Sequence, residues 1–212
     1  YHHDRGETKR TGFVSTLNSF HGRTMGSLSL TGQPKYHEGM KPLIDGVRFI
    51  GFNDLAALDR AVTDEIAAVI FEPVQAEGGI IVAAPEFVEG ARRICDERGA
   101  LLLFDEIQTG YGRTGTFLAQ EHYGVVPDAC SLAKGIAGGF PLGAMAVTER
   151  LAGGLPPGSH ASTFGGNPLA CAAGLAVLHI IDEEGLIENS RVQGEYLTTR
   201  LAQIDARLST TA

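Results

Sequence analysis

The stretch Leu101-Leu-Leu-Phe-Asp105-Glu-Ile-Gln108 is an apolar run that ends in a carboxylate, with a carboxamide three residues later. A short strand with large apolar residues on both faces belongs inside a parallel sheet covered by helices on both sides. Ligands of such sheets meet the carboxyl ends of the strands. Asp105 is therefore either a ligand-facing acid or a helix cap or solvated turn residue. Working outward, further apolar runs predict strands over 13–17, 47–52, 67–71, 129–133 and 144–148, with the central run itself over 101–104. A helix is expected over 54–62, capped by Asn53 or Asp54, and another over Pro85–Arg98, with Pro85 in its first turn and Gly99 just past its end. This alternation argues for an α/β architecture with a mostly parallel central sheet sandwiched by helices.

A second motif, Ser131-Leu-Ala-Lys134-Gly-Ile-Ala-Gly138-Gly139, closes a strand with a lysine that faces a glycine-rich loop. By itself such a lysine is either a solvated charge or, in apolar surroundings, a nucleophile suited to Schiff-base chemistry. Its distance from Asp105 is informative. The two lie 29 residues apart, the separation of one strand–helix–strand unit, so both should project from neighbouring strands at one edge of the sheet. An acid facing a pyridinium nitrogen and a lysine forming an imine are what pyridoxal 5'-phosphate demands.

Asn18-Ser-Phe20-His21-Gly-Arg23-Thr24 also follows a strand. Phe20 is either a core aromatic or a stacking platform, and Arg23 either a surface charge or a bidentate carboxylate clamp. His21 has no evident partner in the sequence and receives no role. In Ser159-His-Ala-Ser162-Thr163-Phe-Gly-Gly-Asn-Pro168, Ser162 and Thr163 either donate to a phosphate or cap the helix that follows. Gly110-x-Gly112-x-x-Gly115 imitates a dinucleotide fingerprint, but no ribose-binding acid ends a strand about 20 residues on, and Asp128 precedes its strand.

Composition narrows the partners. The 212 residues carry 17 Lys and Arg against 25 Asp and Glu, a net charge of −8 and a pI near 5.3, which disfavours nucleic acid and anionic membranes. Hydrophobic residues at 43% and charged residues at 20% are globular values. No apolar run approaches the roughly 18 residues of a membrane span, and a soluble, cytoplasmic protein is expected. Cys95, Cys130 and Cys171 are odd in number and lack paired spacing, so no metal site or disulfide is expected, only reduced, buried thiols. The Ala- and Leu-rich stretch 168–182 predicts a buried helix that leaves the sheet. Leu197, Leu201, Ile204 and Leu208 predict an amphipathic one whose apolar face needs a partner.

Four ordered motifs, Phe20-His-Gly-Arg-Thr24, Thr31-Gly-Gln-Pro-Lys-Tyr36, Asp105-Glu-Ile-Gln-Thr-Gly-Tyr-Gly-Arg-Thr-Gly115 and His122-Tyr-Gly124, together with Lys134, resemble the class III aminotransferases, pyridoxal-phosphate enzymes of fold type I. The acetylornithine branch is most similar, with ornithine, succinylornithine and 4-aminobutyrate branches close by. The resemblance implies transfer of the terminal amino group of N2-acetylornithine to 2-oxoglutarate, in arginine biosynthesis, by a homodimer with shared active sites. It implies that Lys134 holds the cofactor as an internal aldimine and shuttles a proton, that Asp105 faces the ring nitrogen, and that Gln108 bonds the ring hydroxyl. Phe20 would stack on the ring, and Thr163 would reach the phosphate of the neighbouring subunit. Arg23 would anchor the substrate carboxylate with Ser162 nearby, and Glu77 would pair with an arginine when glutamate is excluded or admitted. Residues 1–167 would be the central part of the large domain, and 168–212 the interdomain helix and the start of the small domain. Family members are about twice this length, so the resemblance implies a piece lacking the phosphate-binding loop before Tyr1 and most of the small domain. These residues alone would then hold only half of the phosphate cup.

Overall fold

A computed structural model describes residues 1–209, with side chains described through residue 204. The elements are β1 (Gly12–Thr16), α1 (Met25–Leu30), β2 (Val47–Ile50), α2 (Leu55–Ala61), β3 (Ile66–Phe71), β4 (Val74–Gln75), β5 (Ile81–Val82), α3 (Pro85–Arg98), β6 (Leu101–Asp105), β7 (Ala129–Leu132), β8 (Ala144–Val147), α4 (Glu149–Ala152), α5 (Pro168–Glu183) and α6 (Leu186–Ser209). The main sheet runs β2-β1-β3-β6-β7-β8, its first five strands parallel and β8 antiparallel at the edge. The expected strands are present, with their ends shifted by one or two residues.

β3 and β6 form the centre of the core, because their side chains are apolar on both faces. Phe71 packs on Phe104 and on Phe87 of α3, with ring centroids 4.9 and 5.2 Å apart. α3 buries Phe87, Val88, Ala91, Ile94 and Cys95, a helical-period stripe that lies over the sheet. It ends at Gly99, whose φ of 70° is the left-handed conformation that glycine adopts without steric cost. α2 is capped by Asp54, whose carboxylate accepts from the Ala57 N–H at 2.8 Å. Burial pushes the Cys95 thiol up to about 12, an inert core group as expected.

Two expectations need correcting. α5 is not buried: Leu169, Leu175, Leu178 and Ile180 are all exposed, and only Ala170, Gly174 and Ile181 are covered. Its small residues pack on the turn at 134–137, where a Cβ on Gly174 would meet Leu142 and the Ile136 carbonyl, while its larger side chains face outward. For the same reason Cys171, on α5, is exposed, whereas Cys95 and Cys130 are buried. Leu197, Leu201 and Ile204 of α6 are more than half exposed, in keeping with a face that needs a partner. Leu208, the last position of that stripe, lies outside the residues whose side chains are described. Among the described residues, no helix is long and apolar enough to cross a membrane.

The topology fixes where a ligand can sit. From β1 the chain adds β2 on one side, then crosses to place β3 on the other side of β1. Loops leaving β1 and β3 therefore diverge, and a crevice opens at their carboxyl ends, the site such sheets use for ligands.

Candidate active site

The loop after β1 is tied down before it reaches the crevice. Leu17 makes a parallel bridge to Gly32, and a Cβ on Gly32 would lie 2.1 Å from the Thr16 carbonyl oxygen, so only glycine fits there. The Gln75 side-chain amide donates to Thr16 Oγ1 and to the Leu17 carbonyl, and the Gln33 amide donates to the Asn18 and Ser19 carbonyls. The Gly32 N–H donates to Ser19 Oγ, and the His21 N–H to Thr31 Oγ1. Phe20 and His21 are thus presented to the crevice on a backbone with little freedom.

There they meet residues from three other strands. Phe20, Asp105, Gln108 and Lys134 line one cavity of about 210 Å³, together with His21 and Glu72. Asp105, the last residue of β6, is buried, and three donors converge on it: His21 Nδ1 at 2.8 Å, the Ile107 N–H at 3.1 Å and Ser131 Oγ at 3.1 Å. Its oxygens are all engaged as acceptors, which fixes the carboxylate in one orientation at the cavity wall. Among the described residues, His21 Nε2 is buried without a protein partner.

Of the two surroundings that the sequence leaves open for Lys134, the structure has the solvated one. Lys134 stands two residues past Leu132, the last of β7, and begins a 3-10 turn over Lys134–Ala137 with φ at 49°. That turn carries it clear of the sheet, so it stands exposed at the cavity rim and is not enclosed by apolar side chains. A left-handed φ on a side-chain-bearing residue costs about 1–3 kcal/mol, a strain that concentrates at functional positions. A second hollow of about 370 Å³ shares Lys134, Gln108 and Ile107 and continues towards Tyr111 and Arg113.

Arg23 stands exposed beside Phe20, its guanidinium 4.3 Å from the Tyr36 ring centroid and 5.8 Å from that of Phe20. The Phe20 and Tyr36 rings meet edge to face at 5.5 Å, so Tyr36 braces both the aromatic wall and the cation. Glu77 is exposed in the turn between β4 and β5, close enough to Glu72 to act on it electrostatically. Ser162 and Thr163 are exposed and stand apart from the cavity, with Ser162 Oγ accepting from the Gly165 N–H at 3.1 Å. Within this chain, four of the sequence-derived positions come together, Arg23 borders them, and Ser162, Thr163 and Glu77 do not line the cavity.

Three residues at the site were not assigned roles from sequence. His21 and Ser131 both donate to Asp105, and Glu72 accepts from the Phe20 N–H at 3.2 Å. A histidine next to a ligand-facing aromatic, and an acid directly after a central strand, were the available signals.

The donor set fits a planar, charged aromatic ligand. An aromatic wall, a fixed acceptor, a carboxamide and a primary amine surround a space smaller than a whole ligand site of roughly 300–1,000 Å³, one that takes a ring but not a ring, a phosphate and a substrate together. The glycine-rich segment makes no dinucleotide-binding turn: residues 106–117 form turns without a following α-helix, and Gly112 and Gly115 pack against α6.

Comparison with known proteins bears on the chain as a whole. The family model of class-III aminotransferases matches residues 1–211. An acetylornithine aminotransferase of Caldanaerobacter subterraneus subsp. tengcongensis is 50% identical over 94% of this chain and 50% of its own length. A succinylornithine transaminase of Yersinia pseudotuberculosis is 48% identical over 92% of this chain and 47% of its own. The chain spans about half the length of the curated relatives it matches. Among solved structures, a Bacillus anthracis aminotransferase superposes with a TM-score of 0.90 at 32% identity, covering 96% of this chain and 51% of that one. An amine transaminase from an uncultivated Pseudomonas species, determined in its PLP-bound (internal aldimine) form, gives 0.89 at 34% identity over 98% and 53%.

Proposed function

The chain belongs to the class-III aminotransferases, and from that premise we propose that its protein moves the terminal amino group of N2-acetylornithine to 2-oxoglutarate with pyridoxal 5'-phosphate, as a cytoplasmic homodimer in arginine biosynthesis. The observation that carries the reading is the convergence of Phe20, Asp105, Gln108 and Lys134 on one cavity at the sheet's switch point. Residues 1–167 are then the central part of the large domain, and 168–212 lead into the small one. The exposed apolar residues of β8 and α5 suit burial against the rest of the protein or a second subunit, and three free cysteines suit a reducing compartment.

Bound in this cavity, the cofactor supplies an electron sink for charge developed at the substrate's amine-bearing carbon. The chain's residues hold and orient. Lys134 Nζ would hold the cofactor in the resting protein and, once the substrate's amine has displaced it, would be the group that moves the proton at that carbon. Asp105, locked by His21, Ser131 and the Ile107 N–H, holds the ring nitrogen's proton. Phe20 would cover one ring face, and the Gln108 carboxamide would bond the ring hydroxyl. Arg23, steadied on Tyr36, pairs with a substrate carboxylate. Ser162 and Thr163, standing apart from this cavity, serve the neighbouring subunit's site, Thr163 at the phosphate. Glu77, at the exposed turn, governs whether glutamate enters.

The test is Lys134→Ala in the full-length protein with acetylornithine as donor. Turnover should fall by at least the roughly 10²–10⁴-fold that a proton-transfer group supplies, and a variant that keeps full turnover overturns the reading. Succinylornithine is the second candidate donor, because a transaminase of that name is nearly as similar, at 48% identity. The ratio of kcat/KM for the two amines decides between them.

A further inference from the structure

A second acid shares the cavity with Asp105. Phe71 and Phe104 pair in register, so Glu72 and Asp105 follow them side by side off adjacent strands. Glu72 is 4% exposed and Asp105 5%, and both line the same cavity. Their surroundings differ. Asp105 takes three hydrogen bonds, whereas Glu72 takes one, from the Phe20 N–H to Oε2, and its other oxygen has no partner among the described residues. The charged groups that act on Glu72 are Asp105 at the end of β6, Glu77 in the β4–β5 turn and Lys134 after β7. His21, in the loop that also carries Phe20, is committed to Asp105. Two negative groups thus oppose one cation, and that cation stands exposed at the rim, where solvent screens it. A buried acid with a single donor beside an established carboxylate is far cheaper neutral than charged.

We infer that Glu72 is a positioning residue of the transamination site that works in its protonated form. This rests on the aminotransferase reading of the cavity. Through Oε2 the neutral acid fixes the Phe20 backbone, and so the stacking ring, while Asp105 remains the one negative charge at the cavity wall. The pair divides its roles as catalytic acid pairs do, through environments that differ in donors. Burial above all, with Asp105 and Glu77 adding to it against the Phe20 N–H and Lys134, raises the Glu72 acid from the ordinary carboxylate range to about 8. Its proton is present at neutral pH and leaves in mildly alkaline solution.

Two measurements on the full-length protein test the assignment. In the cofactor-free protein, difference infrared spectroscopy should show a protonated carboxyl band that is lost around pH 8 and is missing from Glu72→Gln. In the holoenzyme, wild-type kcat/KM should fall to roughly a tenth of its plateau value one pH unit past that midpoint, as the protonated fraction does. Glu72→Gln, neutral at every pH, should cost about threefold and lose this alkaline fall, whereas Glu72→Ala should cost more than tenfold throughout. A band that titrates near 4.5, or a Gln variant as impaired as the Ala variant with the alkaline fall intact, overturns the assignment. If both variants fail to fold, the wild-type band alone decides. The two failures look different: a wild-type protein inert with every amine contradicts the aminotransferase reading, whereas an active one whose Glu72 band titrates near 4.5 contradicts only the role given to Glu72.

Discussion

His21 shows how much of this site depends on single hydrogen bonds. Its Nδ1 supplies one of the three donors on buried Asp105, and among the described residues it is the only donor to Oδ2. Replacing it with phenylalanine keeps the volume and removes the donor, leaving a buried carboxylate under-satisfied at a cost of about 1–3 kcal/mol. Cofactor affinity of the His21→Phe protein, measured by fluorescence titration, is expected to weaken by about tenfold or more. Unchanged affinity would mean that Asp105 is oriented without it. A pH effect follows from Glu72. Its folded-state acid lies above its unfolded value of 4.5, so between pH 4.5 and about 8 the folded protein holds a proton that the unfolded chain has lost. Stability should therefore decline as pH rises through that window, and thermal unfolding of cofactor-free Glu72→Gln should show less of the decline. Lys134, Asp105 and Phe20 were legible in the sequence because each ends a strand or begins the loop after one. Glu72 also directly follows a strand, and His21 adjoins Phe20, but neither position says which groups the side chain meets. Their roles come from the register between strands 30 or more residues apart, which places Glu72 beside Asp105 and the β1 loop over both.

Among the elements, the path from β1 to its loop carries the tightest steric constraint. Gly32→Ala would put a methyl 2.1 Å from the Thr16 carbonyl oxygen, against the Thr16–Leu17 backbone. A loss of at least about 3 kcal/mol is expected, with cofactor binding lost alongside it, because the displaced segment carries Phe20 and His21. Urea unfolding checks the first and titration the second. Asp54→Ala, by contrast, removes only the cap of α2 and should cost about 1 kcal/mol with the site untouched. α3 was readable to the residue because Pro85 and Gly99 mark its ends, and the strands were readable because both of their faces are apolar. α5 was not. An Ala- and Leu-rich composition says that a helix is apolar, but not which part of the protein covers it, and here the larger side chains face away from the sheet.

For the whole molecule, the exposed apolar groups form a coherent set. Met145 and Val147 on the edge strand, Leu169 and Leu175 on α5, and Leu197 and Leu201 on α6 are all well exposed on a chain that spans half of its relatives. Residues 1–212 expressed alone are expected to bind a hydrophobic dye more strongly than the full-length protein, and to associate in sedimentation experiments. Equal dye binding by the two would show that these faces are not buried by the rest of the protein. The central claim concerns one nitrogen atom. Borohydride reduction of the full-length protein with pyridoxal phosphate, followed by peptide mass spectrometry, tests it directly. The account predicts a stable pyridoxyl-phosphate adduct on the peptide that carries Lys134, absent from Lys134→Ala. An adduct on another lysine, or none at saturating cofactor, would contradict it.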